Sequence, residues 1–342
     1  MAQPAAVKAD KPRRVMKKSL RDTLTAYTFI APNFIGFCVF TLVPMVFAIA
    51  LAFCSWDGRH AIEFVAVDNF VRLFTQDRIF QAALVNTIVY VVGTVPLTLV
   101  CSLAMAVLLN QNVRLRNFFR TVAFFPYVAS LVAVAAVWNM IFNPAMGPVN
   151  SLLAALGVEN LPRWAAGKDT AMLTVILFSV WKNMGYYMVI YLAGLQGCNP
   201  DLNEAAELDG ANRWQQFRYI IMPSIRTIIV LNLILSISGS LSAFEPPYVI
   251  TNGTMGTGNY FVIMNRLAHE NQKVGLACAM AIVLLVIIIL CTVAQKIFFK
   301  YFFKDNEEDA IMKEEDRRRR QQLKERKKAA RAARKAAKEA AR

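Results

Sequence analysis

The sequence predicts an all-α membrane protein with six transmembrane helices. Of the 342 residues, 56% are apolar, and the mean hydropathy is +0.40, which is high for a soluble domain. A helix needs about 20 apolar residues to cross the hydrocarbon core of a bilayer. Six blocks of that length occur, at about Phe29–Cys54, Thr87–Leu109, Thr121–Phe142, Ala171–Leu195, Thr227–Ile250 and Gly275–Phe299.

Each block is predicted as a helix because none alternates in the way of a barrel strand. Helices also satisfy their own backbone groups where no water is present. The first block is too long for a cleavable signal peptide and more blocks follow it, so a signal-anchor role is expected. The six cysteines are scattered without a CxxC or Cys/His cluster, and we expect small apolar packing residues, with no metal site.

The distribution of Lys and Arg predicts that both termini are cytoplasmic. Basic residues concentrate before the first block, after the second and fourth blocks, and after the sixth, while the connections between them carry fewer. The net charge of +15 lies mostly in the terminal segments. It indicates orientation and contact with anionic lipid, and no nucleic-acid binding is expected. The prediction is a multi-pass protein of the cell (cytoplasmic) membrane.

Three parts are predicted along the chain. Residues 1–26 form a basic cytoplasmic arm, residues 27–303 form the transmembrane domain, and residues 304–342 form a basic cytoplasmic tail. The tail is rich in Ala, Lys, Arg and Glu and contains no Gly or Pro. A solvated tail that touches anionic lipid and a tail that makes a specific protein contact both remain open.

A long polar segment, residues 198–226, separates the fourth and fifth blocks. It is predicted to form two short helices broken at Gly210. A connection between membrane helices needs neither this length nor this pattern, so the segment indicates a docking surface for a soluble partner. The chain contains no G-x-x-x-x-G-K-[ST] phosphate loop, so any ATP would be bound by another chain.

The spacing in this segment is specific. Glu204-Ala205-Ala206 is followed by three residues and Gly210, then by nine residues and Ile220, and Pro223 closes the pattern. This resembles the coupling loop of ABC importer permeases, with Met222 where that family usually has Leu. The resemblance covers about Tyr27 to Phe303, and the match is close to the glycerol-phosphate, lactose and maltose type. Supporting motifs are Ala31-Pro32 with Pro44, Asp68-Asn69-Phe70, Asn86-Thr87, Arg120–Pro126, Trp138–Asn143, Trp181-Lys182-Asn183, Asp209-Gly210-Ala211 and Thr251-Asn252-Gly253.

The resemblance implies a type I ABC importer permease fold with cytoplasmic coupling helices, working by alternating access. It implies that Glu204 pairs with a basic residue in a cleft of an ATPase subunit, and that Gly210 forms the turn between the two short helices. Pro223 would start the next helix. The implied ATPase-coupling positions are Glu204, Ala205, Ala206, Gly210, Ile220 and Pro223.

The resemblance also implies the partners. They are a second permease subunit in a heterodimer, two ATPase subunits, an extracellular sugar-binding protein and a saccharide substrate, within the lipid bilayer. This chain is expected to contribute no catalytic residue and to bind no cofactor, since ATP and Mg would be held by the partner ATPase.

Polar residues inside the fourth and fifth blocks predict where a solute binds. Such residues are expensive in lipid and usually face the bundle or a watery path. Aromatic faces cover the C–H surface of a sugar, and amides and hydroxyls pair with its hydroxyl groups. Resemblance to the maltose-type permease gives the substrate-lining candidates Lys182, Asn183, Tyr186, Ser236, Gly239, Ser240 and Ala243. Among them, Tyr186 and Ser236 match the sugar-contacting residues of that permease in type.

Alternatives remain at this point. Small and hydroxyl residues in membrane helices often serve close packing alone. The permease could carry a non-sugar solute, or the chain could be a secondary transporter, which would need paired intramembrane charges or inverted repeats. A third alternative is a structural or regulatory membrane protein, and only the basic tail supports it. Glu245, directly before Pro246-Pro247, is a candidate gate residue near the external surface.

Overall fold

The computed structural model describes residues 20–111 and 114–302, and this part of the chain is predominantly α-helical. The helices are α1 (Leu20–Phe37), α2 (Val43–Ala52), α3 (Asp68–Thr75), α4 (Arg78–Asn110), α5 (Arg116–Val128), α6 (Leu131–Ile141), α7 (Pro148–Ala155), α8 (Ala171–Gln196), α9 (Pro200–Leu208), α10 (Arg213–Gln216), α11 (Met222–Ser224), α12 (Arg226–Leu241), α13 (Glu245–Thr251), α14 (Tyr260–His269) and α15 (Val274–Phe302). π-Helical segments at Cys38–Leu42 and Phe217–Ile221 join α1 to α2 and α10 to α11. The strands β1 (Cys54–Ser55) and β2 (Glu63–Phe64) pair antiparallel.

The all-α membrane architecture predicted from the sequence is confirmed. Within the described ranges, four helical stretches are long and apolar enough to cross a membrane, namely Thr25–Ala52, Arg78–Asn110, Ala171–Gln196 and Val274–Phe299. Two bent helix pairs, Arg116–Val128 with Leu131–Ile141 and Arg213–Ser224 with Arg226–Leu241, bring the number to six if each pair is one span. Helix α1 already begins at Leu20, whereas most of the basic N-terminal arm and the predicted tail at 304–342 lie outside the described residues.

The third predicted span, Thr121–Phe142, is wrong as a continuous helix. Helices α5 and α6 meet at an angle of 99°. Between them, Ala129 is extended, with φ −63° and ψ 149°, and Ser130 has ψ 120°. Pro126 lies inside the last turn of α5, and a proline lacks the N–H that would pair with the preceding turn. The span is therefore a broken one.

The fifth predicted span, Thr227–Ile250, is also wrong as a continuous helix. Helix α12 ends at Leu241 and α13 starts at Glu245. Pro246 and Pro247 explain the break, because neither has an N–H for the carbonyl four residues earlier. The carbonyl of Ala243, freed by Pro247, instead accepts a hydrogen bond from the Asn259 side-chain amide.

The described chain divides into two compact units. The first comprises residues up to 77 together with 264–282. In it, the Asn69 side chain donates to the backbone carbonyls of Ala52 and Cys54, both at 2.9 Å, and so fixes α3 against the end of α2. The apolar side chains of α1 and α2 are largely exposed, as expected of a helix surrounded by lipid or by other membrane helices.

The second unit comprises residues 78–263 and the chain from 283 onward. Its centre is α8, which packs against α4, α5 and α12. Hydrogen bonds join these helices inside the apolar bundle: the Tyr90 hydroxyl donates to the Ser179 hydroxyl at 2.9 Å, and the Ser102 hydroxyl donates to the Met184 carbonyl at 2.8 Å. Polar bonds of this kind hold membrane helices together where lipid supplies no competing partner.

Gly185 lets α5 approach α8 closely. A Cβ atom at this position would lie far inside van der Waals contact with the backbone carbonyl oxygen of Ala123. Small residues at helix interfaces permit such backbone contact in membranes. The C-terminal half of α5 is therefore fixed onto α8 next to the point where the third span breaks.

Candidate functional site

A cavity of about 720 Å³ lies inside the second unit. Its wall is built by helices α4, α5, α6, α8 and α12. The breaks after α5 and α12 and the first turns of α13 and α14 complete it. The lining residues are Tyr90, Thr94, Thr98, Tyr127, Ala129, Leu131, Lys182, Asn183, Tyr187, Ser236, Gly239, Ser240, Ser242, Ala243, Phe244, Glu245, Pro246 and Phe261. The wall combines aromatic rings with hydroxyl groups, an amide and two charged side chains.

Six of the seven predicted substrate-lining residues face this cavity: Lys182, Asn183, Ser236, Gly239, Ser240 and Ala243. Tyr186 is not among the lining residues. Its ring stacks on the ring of Tyr127, with centroids 4.8 Å apart, and Tyr127 in turn faces the cavity. Tyr186 therefore contacts an aromatic wall residue and is not itself part of the wall.

The sequence reasoning missed the face of α4. Tyr90, Thr94 and Thr98 follow each other at intervals of four residues and so lie along one side of that helix. The spacing was present in the sequence, but a stripe of threonines in an apolar helix is equally typical of packing. The hydroxyl oxygen of Thr98 is buried and has no hydrogen-bond partner among the described residues. Buried polar groups normally have a partner, and this hydroxyl is an exception to that rule.

Both helix breaks open onto the cavity. Ala129 and Leu131 at the first break, and the run from Ser242 to Pro246 at the second, belong to its lining. Irregular backbone at membrane depth is tolerated where it is buried in protein or lines a watery space. Discontinuous helices of this kind surround the binding sites of many transporters.

Lys182 stabilises the first break. Its Nζ donates to the backbone carbonyls of Pro126 at 2.9 Å and of Ala129 at 3.1 Å, and approaches that of Tyr127 at 3.5 Å. The residue is 8% exposed. The last carbonyls of a helix have no partner within the helix and carry its negative dipole end, so an ammonium group there is favourable. Lys182 is thus a cap of the broken span as well as a wall residue.

The polar segment after α8 forms a defined structure. Asn199 caps α9 by accepting a hydrogen bond from the backbone N–H of Asp201 at 3.1 Å. At the other end, Gly210 has φ +78°, and the N–H groups of Gly210 and Ala211 bond to the carbonyls of Glu207 and Ala206. This is a Schellman ending, which needs a left-handed residue and therefore favours glycine. The predicted turn at Gly210 is present in the structure.

The second short helix starts with a reciprocal cap. The backbone N–H of Asn212 donates to the side chain of Gln215 at 2.8 Å, and the N–H of Gln215 donates to the side chain of Asn212 at 2.9 Å. The helical path then runs through the π-helical turn containing Ile220 to α11, where Pro223 lies in the first turn.

The segment presents an exposed surface. Glu204 and Ala205 are exposed and Ala206 is half-buried. Large apolar side chains are also exposed nearby, with Leu208 at 90% and Trp214 at 70% of their full accessible area. Exposed apolar residues surrounded by polar ones are typical of protein interaction sites.

The segment connects the two helices that carry most of the predicted cavity residues. It follows α8 and leads into α12. Ile228 of α12 packs against Gly194 of α8 in such close approach that no Cβ would fit on the glycine. Asn232 of α12 donates to the carbonyl of Tyr187 of α8 at 3.4 Å. A displacement of the segment would therefore act on both helices.

These features define an all-α membrane protein with a polar cavity between broken spans and a structured polar loop between α8 and α12. The family described as the binding-protein-dependent transport system inner membrane component matches residues 98–303. The chain belongs to this family.

Individual relatives agree with the family. The probable ABC transporter permease protein YesP of Bacillus subtilis (strain 168) is 38% identical over 277 residues, which cover 79% of this chain and 89% of the relative. The lactose transport system permease protein LacF of Rhizobium radiobacter is 33% identical, covering 69% of this chain and 79% of the relative. A subunit in a crystal structure of a bacterial ABC transporter that imports the acidic polysaccharide alginate is 26% identical, with a TM-score of 0.71, covering 83% of this chain and 99% of that subunit.

Proposed function

We propose that this chain is one permease subunit of an ATP-driven importer for a sugar or oligosaccharide. Its membrane domain would pair with a second permease subunit, and both termini would face the cytoplasm. Two ATPase subunits would bind ATP and Mg and act on the loop from Glu204 to Pro223. A binding protein would deliver the saccharide from outside.

The cavity between the two broken spans carries this proposal. Its rings, among them Tyr90, Tyr127 and Tyr187, suit the C–H faces of a sugar, and its hydroxyl groups suit the sugar hydroxyls. Two similar proteins are described as saccharide transporters, one for lactose and one for alginate, and this supports a saccharide as the substrate. Their substrates differ in charge, since lactose is neutral and alginate is acidic.

The cavity can be tested by filling it. Gly239 lies on its wall, and a Cβ atom there would meet nothing within 4 Å. Gly239→Phe should therefore place a ring in the cavity without disturbing the backbone. In proteoliposomes containing the complete importer and binding protein, we expect the variant to assemble normally but to lose ATP-dependent uptake of labelled saccharides.

Gly36→Phe is the matched control, because Gly36 also lies in a helix and a Cβ atom there would meet nothing within 4 Å, but the position is outside the cavity. Normal uptake by Gly239→Phe would remove the cavity from the transport path.

Tyr186→Ala should raise the KM of uptake without changing assembly, because Tyr127 loses its stacked neighbour.

The loop can be tested by charge reversal. Glu204→Lys should leave membrane insertion intact and abolish uptake, since the proposed basic partner on the ATPase would be repelled. Glu159→Lys serves as the control, because Glu159 is exposed in a different connection. If the ATPase co-purifies with Glu204→Lys at wild-type yield and uptake is normal, the docking role is rejected.

A further inference from the structure

The connection between α13 and α14 contains a buried segment, residues 257–260, which we call the strap. Thr257 and Tyr260 are 0% exposed and Asn259 is 1% exposed, whereas the preceding residues 254–256 are exposed. A buried connection needs partners for its backbone and side-chain polar groups, because an unpaired polar group in the interior is costly. The partners therefore show what the strap holds together.

The strap is tied to α4. The Asn86 side-chain amide donates to the carbonyl of Gly258 at 3.0 Å, and the backbone N–H of Tyr260 donates to the hydroxyl of Thr87 at 2.8 Å. The ring of Tyr260 also packs edge-to-face against Phe80 of the same helix, with centroids 5.6 Å apart. The two hydrogen bonds join residues 172 and 173 positions apart in the chain, so tertiary contacts fix the place of the strap.

Asn259 connects the strap to the second break. Its Nδ2 donates to the carbonyl of Ala243, which Pro247 leaves without a helical donor. Its Oδ1 accepts a hydrogen bond from the backbone N–H of Val262 at 3.2 Å and so caps the start of α14. One side-chain amide therefore holds the break with its donor and α14 with its acceptor.

These two bonds act on an aromatic corner of the cavity. Phe244 follows Ala243 at the break, Phe261 lies in the first turn of α14, and both line the cavity. Their ring centroids are 5.9 Å apart. Asn259 is not among the lining residues, but it is bonded to the residue before Phe244 and to the residue after Phe261. The relative position of the two rings is thus set through Asn259.

We propose that Asn259 is a positioning residue of the cavity, which keeps the rings of Phe244 and Phe261 preformed for a saccharide. This inference rests on the proposed saccharide transport. Rings that the ligand must first order bind it more weakly, because the ordering uses part of the binding free energy. The contacts with α4 matter for the same reason, since they fix the strap that carries Asn259.

Asn259→Ser tests the donor separately from the helix cap. Serine caps a helix about as well as asparagine, but its short side chain cannot place a donor where Nδ2 of the asparagine lies. Asn271→Ser, at an exposed position, is the matched control. Asn86→Ala releases the strap from α4 and is a second variant that should act in the same direction.

The first measurement needs no ligand. Hydrogen exchange is followed in the assembled complex of both permeases and both ATPase subunits. The amide of Tyr248, which bonds to the Phe244 carbonyl, should exchange about tenfold faster in Asn259→Ser and in Asn86→Ala. The amide of Ile263, which bonds to the backbone carbonyl of residue 259, should keep its wild-type protection because the cap is retained. Unchanged exchange at Tyr248, or faster exchange at both amides, would overturn the positioning role.

The second measurement is saccharide binding to the same complexes, without the binding protein. A panel of labelled saccharides that includes lactose and an alginate oligosaccharide is titrated. For the saccharide that wild type binds most tightly, the Kd should rise about tenfold in both strap variants and stay unchanged in Asn271→Ser. The rate of ATP hydrolysis without sugar should remain at the wild-type value, whereas a general structural defect would lower it as well.

An unchanged Kd in Asn259→Ser contradicts the proposal. Gly239→Phe separates this failure from failure of the transport function itself. If Gly239→Phe abolishes binding while Asn259→Ser binds normally, the cavity binds the sugar and Asn259 does not position its wall. If wild type binds no saccharide of the panel, or if Gly239→Phe binds normally, the saccharide cavity itself is contradicted and the positioning role falls with it.

Discussion

Replacing Lys182 by Met tests whether a single ammonium group holds the broken third span in place. Methionine keeps an unbranched apolar chain of similar length but has no donor. The carbonyls of Pro126 and Ala129, now 2.9 and 3.1 Å from Nζ, would lose their hydrogen-bond partner. They lie at a break inside the bundle, where no other described side chain replaces Lys182.

The size of the effect follows from two opposing terms. A buried acceptor left without a partner destabilises a protein by about 1–3 kcal/mol, and two strong bonds are lost here. Against this, burying an ammonium group is itself unfavourable by several kcal/mol, and the substitution removes that penalty. The negative end of α5 offsets part of the penalty in the wild type. We therefore expect a net loss of about 1–3 kcal/mol, together with a change in cavity shape at Ala129.

The assay compares the thermal stability and transport of the purified, reconstituted importer. Membrane complexes unfold irreversibly, so the measurement is the fraction of complex that stays assembled after heating. Lys182→Met should lower the midpoint of this curve by several degrees and reduce uptake. Lys168→Met, at an exposed position in the connection before α8, is the matched control. Wild-type stability and uptake in Lys182→Met would refute the capping role.

Gly185→Ala should lower the stability of the complex by about 1–3 kcal/mol in the same heating assay, because its Cβ would clash with the Ala123 carbonyl. Gly210→Ala should weaken co-purification of the ATPase, since the left-handed turn at φ +78° costs alanine about 1–2 kcal/mol. The hydrogen-bonded turn from Asp57 to His60 should be most stable between about pH 4 and pH 6.5 and less stable at higher pH. Hydrogen exchange of the backbone amides bonded to Asp57 measures this, with the strongest protection in that pH range.

Two opposite pKa shifts in the turn from Asp57 to His60 set this pH dependence. Hydrogen bonds from the backbone and ring of His60 lower the pKa of the Asp57 carboxyl, so its contribution is present above the ordinary Asp pKa and is lost as pH falls through the lowered value. The hydrogen bond and charge of Asp57 raise the pKa of His60, so that contribution is complete below the ordinary His pKa and is lost as pH rises through the raised value. Equal amide protection at pH 5.5 and pH 8.5, after correction for intrinsic exchange, would contradict this reasoning.

The apolar blocks predicted helices well and helix continuity poorly. The second and fourth predicted spans agree with α4 and α8 to within nine residues at each end, because a run of apolar residues is enough to specify a membrane helix. The breaks depend on acceptors freed near prolines and on donors elsewhere in the chain. Lys182 is 53 residues from Ala129, and Asn259 is 16 residues from Ala243. Hydropathy carries no information about such pairs.

The candidate site was predictable to the extent that its residues differ from ordinary packing residues. Lys182 and Asn183 stand out in an apolar helix, so their place in the cavity wall follows from the cost of polar groups in lipid. Thr94 and Thr98 do not stand out, because threonines are common at helix contacts. Tyr186 matched a family position, yet its ring stacks on Tyr127 and does not line the cavity. A side chain can therefore keep its place in the sequence pattern and act through a neighbour.

The position of the two breaks bears on how force from the loop could reach the cavity. A continuous, packed helix bundle resists small displacements, whereas a helix interrupted at two or three residues can change direction there. Helix α12 receives the loop at Arg226 and ends at the second break, and α8 carries Lys182, which holds the first break. Motion of the loop would thus be delivered to both interruptions in the cavity wall. On this reasoning, Lys182→Met should lower the rate of saccharide uptake more than it lowers the rate of ATP hydrolysis. Equal losses of the two rates would indicate a general defect of assembly and would remove the first break from the coupling path.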